Sequence, residues 1–126
     1  MQDEIIEVYE KEEDILNFTK ELAKFSFENL PKTNHFYYSL DEKATDILIL
    51  KENFSKFEKI KLINKRKHKN NNITYDFYYE LEDGTYLLYC LALEDKPMLL
   101  NAFHVRRNFR QFKKSLIKAY KRQLTG

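Results

Sequence analysis

The sequence predicts an α+β fold with N-terminal helices, a three- to four-stranded antiparallel β-meander and a basic amphipathic helix at the C-terminus. Apolar residues recur at helical spacing in the first part of the chain, and from residue 60 onward alternating segments are separated by short turns. The last segment returns to helical spacing. A length of 126 residues fits one domain, 1–126, and ten Phe and nine Tyr supply a core.

The first helical region is predicted between Asp3 and Leu30. Its apolar residues keep helical spacing on both sides of a polar stretch, 10–14, so either one long helix or two shorter ones fit the pattern. Pro31 ends the region in both cases. Because Glu outnumbers Lys there, we expect an acidic outer surface.

A second helix is predicted after an aromatic connector at 34–38. Ser39 followed by Glu42 has the form of a capping box, in which the two side chains satisfy free backbone N–H groups at the start of a helix. Asp41 is another possible cap. The helix is expected to extend to Phe54. The β-branched run 45–49 leaves a strand open as the alternative.

The second half of the chain alternates between strands and turns. Strands are predicted at 59–64, 73–81, 85–93 and 98–105, with a polar stretch at 65–72 and turns at 82–84 and 94–97. The strand at 73–81 alternates cleanly, with Thr74, Asp76, Tyr78 and Glu80 on its polar face. The strand at 85–93 is apolar on both faces, so we expect it inside the sheet.

The final helix is predicted to begin after Asn108, a favourable N-cap residue. Its apolar stripe consists of Phe109, Phe112, Leu116, Ile117, Tyr120 and Leu124. Its other face is basic, with Arg110, Lys113, Lys114, Lys118, Lys121 and Arg122. The helix dipole favours cations only in the last turn, by about 0.3–1 kcal/mol each, so it does not account for so many.

The charges divide the chain into an acidic and a basic half. Residues 1–50 hold five Lys and twelve acids, whereas 51–126 hold 17 Lys or Arg and eight acids. Residues 101–126 contain eight Lys or Arg and no acid. A polyanion, RNA first, is therefore the expected partner. The predicted nucleic-acid-binding residues are Lys65, Arg66, Lys67, Lys69, Arg107, Arg110, Lys113, Lys114, Lys118 and Lys121. For the Lys65–Lys69 stretch, a solvated hairpin tip is the alternative.

Candidate catalytic residues are His104, Arg106, His35 and Tyr78. His104 and Arg106 have the same parity at a strand end, which places them side by side, one to transfer a proton and the other to stabilise charge on a phosphate. His35 is a second possible acid or base, and Tyr78 can stack on a base. The alternative is structural, with both histidines packed and the arginines only binding phosphate.

Several classes of site are disfavoured by composition. Two glycines supply no phosphate-binding loop, and three histidines without helical i, i+4 spacing do not suggest a metal site, so we expect no cofactor and no metal. Cys90, the only cysteine, lies in an apolar run and is expected to be a small core residue. An acidic N-terminus and the lack of a run of roughly 18 apolar residues predict a cytoplasmic protein without membrane contact.

The order of elements resembles the small RNase group that unites barnase, EndoU, colicin nucleases and RelE-type toxins. That group has helices first and then an antiparallel meander with a His or Arg on the sheet, which corresponds here to about residues 34–107. The strand that begins at Met98 and runs through His104 to Arg107 is similar to the closing strand of phage-borne members, and a basic helix follows it as in some RelE-like toxins. The resemblance implies proton transfer by His35 and His104, and a scissile phosphate held by Arg106 or Arg107. It also implies a toxin restrained by an antitoxin or another acidic protein.

Three functions are therefore predicted. The first is a metal-independent, toxin-type endoribonuclease that binds RNA and cleaves it through attack by the ribose 2′-OH. The second is a non-catalytic basic binding module, phage- or plasmid-borne, that acts as an adaptor or inhibitor on nucleic acid or on an acidic protein. The third is a homodimer in which the acidic first helix of one copy docks on the basic last helix of another.

Overall fold

The computed structural model describes residues 3–94 and 96–125, which form four α-helices and one five-stranded antiparallel sheet. The strands are β1 (Glu4–Tyr9), β2 (Ile60–Lys67), β3 (Ile73–Glu80), β4 (Tyr86–Ala92) and β5 (Met98–Val105). The helices are α1 (Glu12–Leu22), α2 (Asn34–Glu42), α3 (Ile47–Asn53) and α4 (Phe109–Thr125), and a 3₁₀ turn spans Phe57–Lys59. The predicted α+β class is confirmed, with five strands instead of three or four.

The strands lie in the sheet in the order in which they occur along the chain. Strands β2 to β5 form the predicted meander, and β4 pairs on both sides, as its apolar faces indicated. Asp95, in the predicted turn at 94–97, lies outside the described residues. None of the helices described here has the length and apolarity that a membrane crossing requires.

The prediction of a helix from Asp3 onward was wrong for its first segment. Residues 4–9 form β1, which pairs antiparallel with β2 at the edge of the sheet, and only Glu12–Leu22 are helical before Pro31. Glu4 pairs with Lys67 and Tyr9 with Ile63. This pairing joins residues more than fifty positions apart, so no local spacing of apolar residues reveals it.

The second helix was predicted too late in the chain. The supposed connector at 34–38 belongs to α2, whose N-cap is Thr33, and Ser39 is buried inside that helix instead of capping one. A turn with Ala44 at a φ of 51° separates α2 from α3. Asp46 caps α3 by accepting a hydrogen bond from the Leu48 N–H at 2.9 Å, and the strand alternative for 45–49 is wrong.

Helices cover both faces of the sheet. On one face, α1 to α3 pack against odd-numbered β3 side chains such as Phe77 and Tyr79, which form the main core. On the other face, α4 packs Phe109 against a smaller cluster that includes Tyr78 and Tyr86. The polar face that alternation predicts for β3 is therefore not solvated, and Asp76 is only 5% exposed.

The start of α4 is fixed by the β3–β4 turn. Gly84 has a φ of 88°, a conformation that side chains with a Cβ rarely adopt, and its carbonyl accepts a hydrogen bond from the Phe109 N–H at 2.7 Å. The predicted cap is confirmed, because Asn108 Oδ1 accepts from the Gln111 N–H at 3.0 Å. The residues of the predicted apolar stripe are buried or half-buried except Leu124, which is 66% exposed.

Truncation of Phe109 should show how strongly α4 is needed. Phe109 is 1% exposed, so Phe109→Ala leaves a cavity beneath α4 and should lower the free energy of unfolding by about 3–5 kcal/mol. Leu124→Ala, on the same helix but exposed, should change it by less than about 0.5 kcal/mol. Urea unfolding of both variants measures the difference. Similar losses for the two would contradict the role given to Phe109.

Candidate nucleic-acid interface

A groove with a volume of about 630 Å³ runs along one flank of α4, between that helix and the ends of β1, β2 and β3. Phe109 and Ile117 contribute apolar surface to it. Its cationic residues are Lys61, Arg110, Lys113, Lys114, Lys118 and Lys121, and its acidic residues are Glu10 and Glu80. All the basic residues predicted on α4 except Arg122 thus line one concave surface. We refer to it as the basic groove.

Two of the six cations in the basic groove are neutralised within the chain. Arg110 Nε lies 3.4 Å from Glu80 Oε2, and Lys113 Nζ lies 3.8 Å from Glu10 Oε1. The other four, Lys61, Lys114, Lys118 and Lys121, form no ion pair with any residue that the structure describes. The groove therefore keeps an excess of positive charge available to a ligand.

The Lys65–Lys69 stretch is not a free basic loop. Lys65 and Lys67 belong to β2, and Lys65 Nζ lies 3.9 Å from Glu7 Oε1 on the face of the sheet that carries α1. The loop itself begins after Lys67. Lys67 and Lys69 are exposed, so only these two remain accessible to a phosphate.

Arg66 is part of a polar network on the α4 side of the sheet. Its guanidinium donates to Asp76 Oδ1 at 3.2 Å and to Asp3 Oδ2 at 3.4 Å. Asn64 Nδ2 donates to the second oxygen of Asp76 at 3.0 Å. Cys90 Sγ lies 3.5 Å from Arg66, yet burial and the charge of Asp76 raise the pKa of the thiol to about 12. Arg66 is thus occupied by carboxylates, and Cys90 is the buried residue that was predicted.

The structure gives Tyr78 a role in packing. Its hydroxyl donates to Asn64 Oδ1 at 2.7 Å, and its ring lies 5.1 Å from that of Phe112 on α4. Burial raises the pKa of Tyr78 far above its ordinary value. A ring enclosed beneath α4 has no free face for a base, and its hydroxyl already has an acceptor.

His104 forms a defined hydrogen-bond chain at the end of β5. The Thr85 hydroxyl donates to Asp83 Oδ1 at 2.6 Å, so it accepts from His104 Nε2, 2.8 Å away. This fixes the neutral tautomer with the proton on Nε2, and Nδ1 bonds to no residue among those described. Burial, followed by the charge of Arg106, lowers the pKa of His104 below its ordinary 6.5.

Three of the four candidate catalytic residues, Tyr78, His104 and Arg106, line one cleft between α4 and β5, and His35 does not. Within the sheet, Tyr78 pairs with Leu88, which pairs with Phe103, so Tyr78 lies in the row of the α4 face and His104 belongs to the adjacent row. His35 is exposed on α2, where its Nε2 lies 3.4 Å from Ser39 Oγ. Only His104 and Arg106 lie close enough to influence each other.

Sequence reasoning missed Lys61 in the basic groove. It sits at an irregularity of the β2–β3 pairing, between Ile60 and Leu62, and the pattern of the strand alone gave no sign of its proximity to α4. No group of three His, Cys, Asp or Glu side chains suited to a metal ion occurs in the described part of the chain.

Comparisons with protein families, curated proteins and solved structures find no match for this chain. The resemblance to the small RNase group therefore stays a prediction from the sequence.

The environment of His104 predicts how stability depends on pH. Because its pKa is lower in the folded than in the unfolded chain, the unfolded chain binds the proton more readily. This contribution to stability is present above pH 6.5 and is lost as the pH falls from there through the lower pKa of the folded chain. His104→Gln retains a donor to Thr85 but does not titrate. Between about pH 8 and about pH 5, wild type should lose more free energy of unfolding than the variant. If urea unfolding shows that the free energies of unfolding of wild type and His104→Gln change equally with pH, the prediction is wrong.

Proposed function

We propose that this protein binds the phosphate backbone of nucleic acid, RNA foremost, in the basic groove along α4. The observation that carries the proposal is the set of four cations, Lys61, Lys114, Lys118 and Lys121, that share the groove without an acidic partner among the described residues. Phosphates supply the missing negative charge, and release of their counterions drives such binding.

The fold itself does not need these cations. The apolar contacts of α4 with the sheet come from Phe109, Phe112 and Leu116. Tyr120 and Gln123 donate to carbonyls of β1, whereas Lys114 and Lys118 are exposed. Like charges four residues apart on a helix destabilise it by roughly 0.2–0.5 kcal/mol per pair, and Lys114, Lys118 and Arg122 form two such pairs. The arrangement costs stability in the free protein, and a bound polyanion relieves the repulsion.

The groove favours backbone contact without base readout. Of its apolar contributors, Phe109 is buried and Ile117 is aliphatic, so the groove presents no exposed aromatic ring on which a base stacks. Binding is therefore expected to depend on salt and only weakly on sequence.

Neutralising the unpaired lysines should weaken RNA binding. We expect the triple variant Lys114→Gln, Lys118→Gln, Lys121→Gln to bind a labelled single-stranded RNA at least tenfold more weakly at about 0.1 M salt. Its log–log salt slope should be shallower by about 2, since each phosphate contact contributes roughly 0.7. Fluorescence anisotropy at several salt concentrations measures both quantities.

The matched control carries Lys11→Gln, Lys20→Gln and Lys56→Gln, three exposed lysines outside the basic groove. It has the same net charge as the triple variant and should keep the wild-type affinity and slope. Equal losses in both variants would show that net charge alone governs binding. Affinity for an acidic polypeptide but none for RNA would assign the groove to a protein partner.

A metal-independent endoribonuclease, the toxin-type function predicted from the sequence, is a second candidate. It is favoured by the free Nδ1 of His104, whose lowered pKa keeps the imidazole neutral and able to accept a proton, together with the nearby charge of Arg106. The separate position of His35, and the enclosed ring and hydrogen-bonded hydroxyl of Tyr78, make binding the better-supported function.

Cleavage of RNA in EDTA tests this second candidate. Wild type is expected to degrade total RNA or tRNA, and His104→Gln should be slower by about a hundredfold or more, because general acid–base catalysis typically contributes that much. Lys20→Gln, purified identically, controls for contaminating nucleases. Intact RNA with wild type, or equal cleavage by wild type and His104→Gln, would reject it.

A further inference from the structure

A second cleft, of about 490 Å³, lies between α4 and β5. Its aromatic part includes Tyr86, Phe103 and Phe112, and its cationic part consists of Lys43, Arg106 and Arg107. No Asp or Glu is among its lining residues in the described chain. We refer to it as the aromatic cleft. The lack of an acidic residue distinguishes the aromatic cleft from the basic groove, which contains Glu10 and Glu80.

The aromatic surface of the cleft is pre-organised. The rings of Tyr86 and Phe112 are stacked, with centroids 4.9 Å apart and planes at 25°. Phe103, on the edge strand β5, is only half-buried, and Lys43 Nζ lies 5.2 Å from its ring centroid. A planar ligand can therefore meet an aromatic surface next to a cation.

Tyr86 supplies the observation that points to a ligand. The residue is 3% exposed, and its hydroxyl makes no hydrogen bond to any described residue. The hydroxyls of Tyr78, Tyr79 and Tyr89, by contrast, each donate to an oxygen within 2.7 Å. Arg66 Nε is the only fully buried side-chain N or O atom without a partner among the described residues, so the Tyr86 hydroxyl is accessible from the cleft and free to donate to a ligand.

The cations at the rim are also without partners. Lys43, Arg106 and Arg107 are exposed and form no ion pair with a carboxylate of the described residues. Arg107 lies close enough to Tyr86 for its charge to oppose the effect of burial on the pKa of that hydroxyl. The free hydroxyl and a free guanidinium therefore face the same small volume.

We propose that the aromatic cleft binds a nucleoside monophosphate unit, an aromatic base joined to a phosphate. The base packs against Phe103 at the half-buried edge of β5, and the phosphate is held by Arg106 and Arg107. The Tyr86 hydroxyl donates to an acceptor of the ligand. The unit is either a free nucleotide or the phosphorylated end of an RNA strand, since both present the same chemistry.

This site is distinct from the basic groove. Lys114, Lys118 and Lys121 do not line the aromatic cleft, and the two depressions lie along different flanks of α4. The proposal consequently does not depend on backbone binding in the groove, and each can fail without the other.

Isothermal titration of the full chain with AMP, adenosine and inorganic phosphate tests the proposal. AMP should bind more tightly than either fragment, because only AMP engages the aromatic surface and the arginines together. Tyr86→Phe, which keeps the ring and removes the unpaired hydroxyl, should weaken AMP binding about three- to tenfold. Arg107→Gln should weaken it at least as much, whereas Lys20→Gln should have no effect.

The variants are expected to fold, since Tyr86→Phe removes a hydroxyl that makes no bond and Arg107 is exposed. A thermal melt that matches wild type confirms this. AMP that binds no more tightly than phosphate, or with equal affinity to wild type and Tyr86→Phe, would overturn the proposal. Displacement of AMP by an RNA with a terminal phosphate, but not by the same RNA without it, would support the proposal and identify the strand end as the source.

Discussion

The need to cover the second face of the sheet governs much of this structure. Strand β3 is buried on both sides, so the face that carries Tyr78 requires a partner, and α4 provides it through Phe109 and Phe112. This fixes the rotation of α4 about its axis. The basic side chains of α4 are then confined to its remaining surface, which places Lys114, Lys118 and Lys121 on the flank that borders the basic groove.

The face beneath α4 is divided into an apolar and a polar part. Pairing across the sheet aligns Leu62, Tyr78, Leu88 and Phe103 in one row and Asn64, Asp76, Cys90 and Asn101 in the next. The hydroxyl of Tyr78 joins the two rows through Asn64, whose amide in turn satisfies Asp76. Because an unpaired buried carboxylate is costly, Asp76 requires Arg66 as well, which is why that arginine serves the fold.

Local patterns were sufficient wherever an element is defined by its own sequence. The strand 98–105 was predicted with its observed bounds, and α4 follows from Asn108 and its apolar stripe. Local patterns failed where an element depends on a contact with residues far away in the sequence. Residues 4–9 became β1 only through pairing with β2, and the cap of α2 is Thr33, whereas the sequence pattern indicated a cap at Ser39.

The candidate sites show the same division between local and distant information. The cations of α4 were found from the charge pattern, because they are consecutive on one helix. Lys61 reaches one depression from β2, and Lys43 reaches the other from the C-cap of α2. The unpaired state of the Tyr86 hydroxyl depends on what surrounds it in space. No feature of the sequence distinguishes Tyr86 from Tyr78, Tyr79 or Tyr89, whose hydroxyls are bonded.

A helix that both completes the core and carries the charge links binding to folding. Removing α4 exposes Tyr78 and Tyr86 to water, so loss of binding after truncation says nothing about the cations. Conversely, a polyanion that relieves the repulsion between Lys114 and Lys118 binds the folded chain, in which these residues are held on one helix, better than the unfolded chain. Such a ligand stabilises the fold through mass action. Only point substitutions on the exposed flank of α4 can therefore separate its two roles.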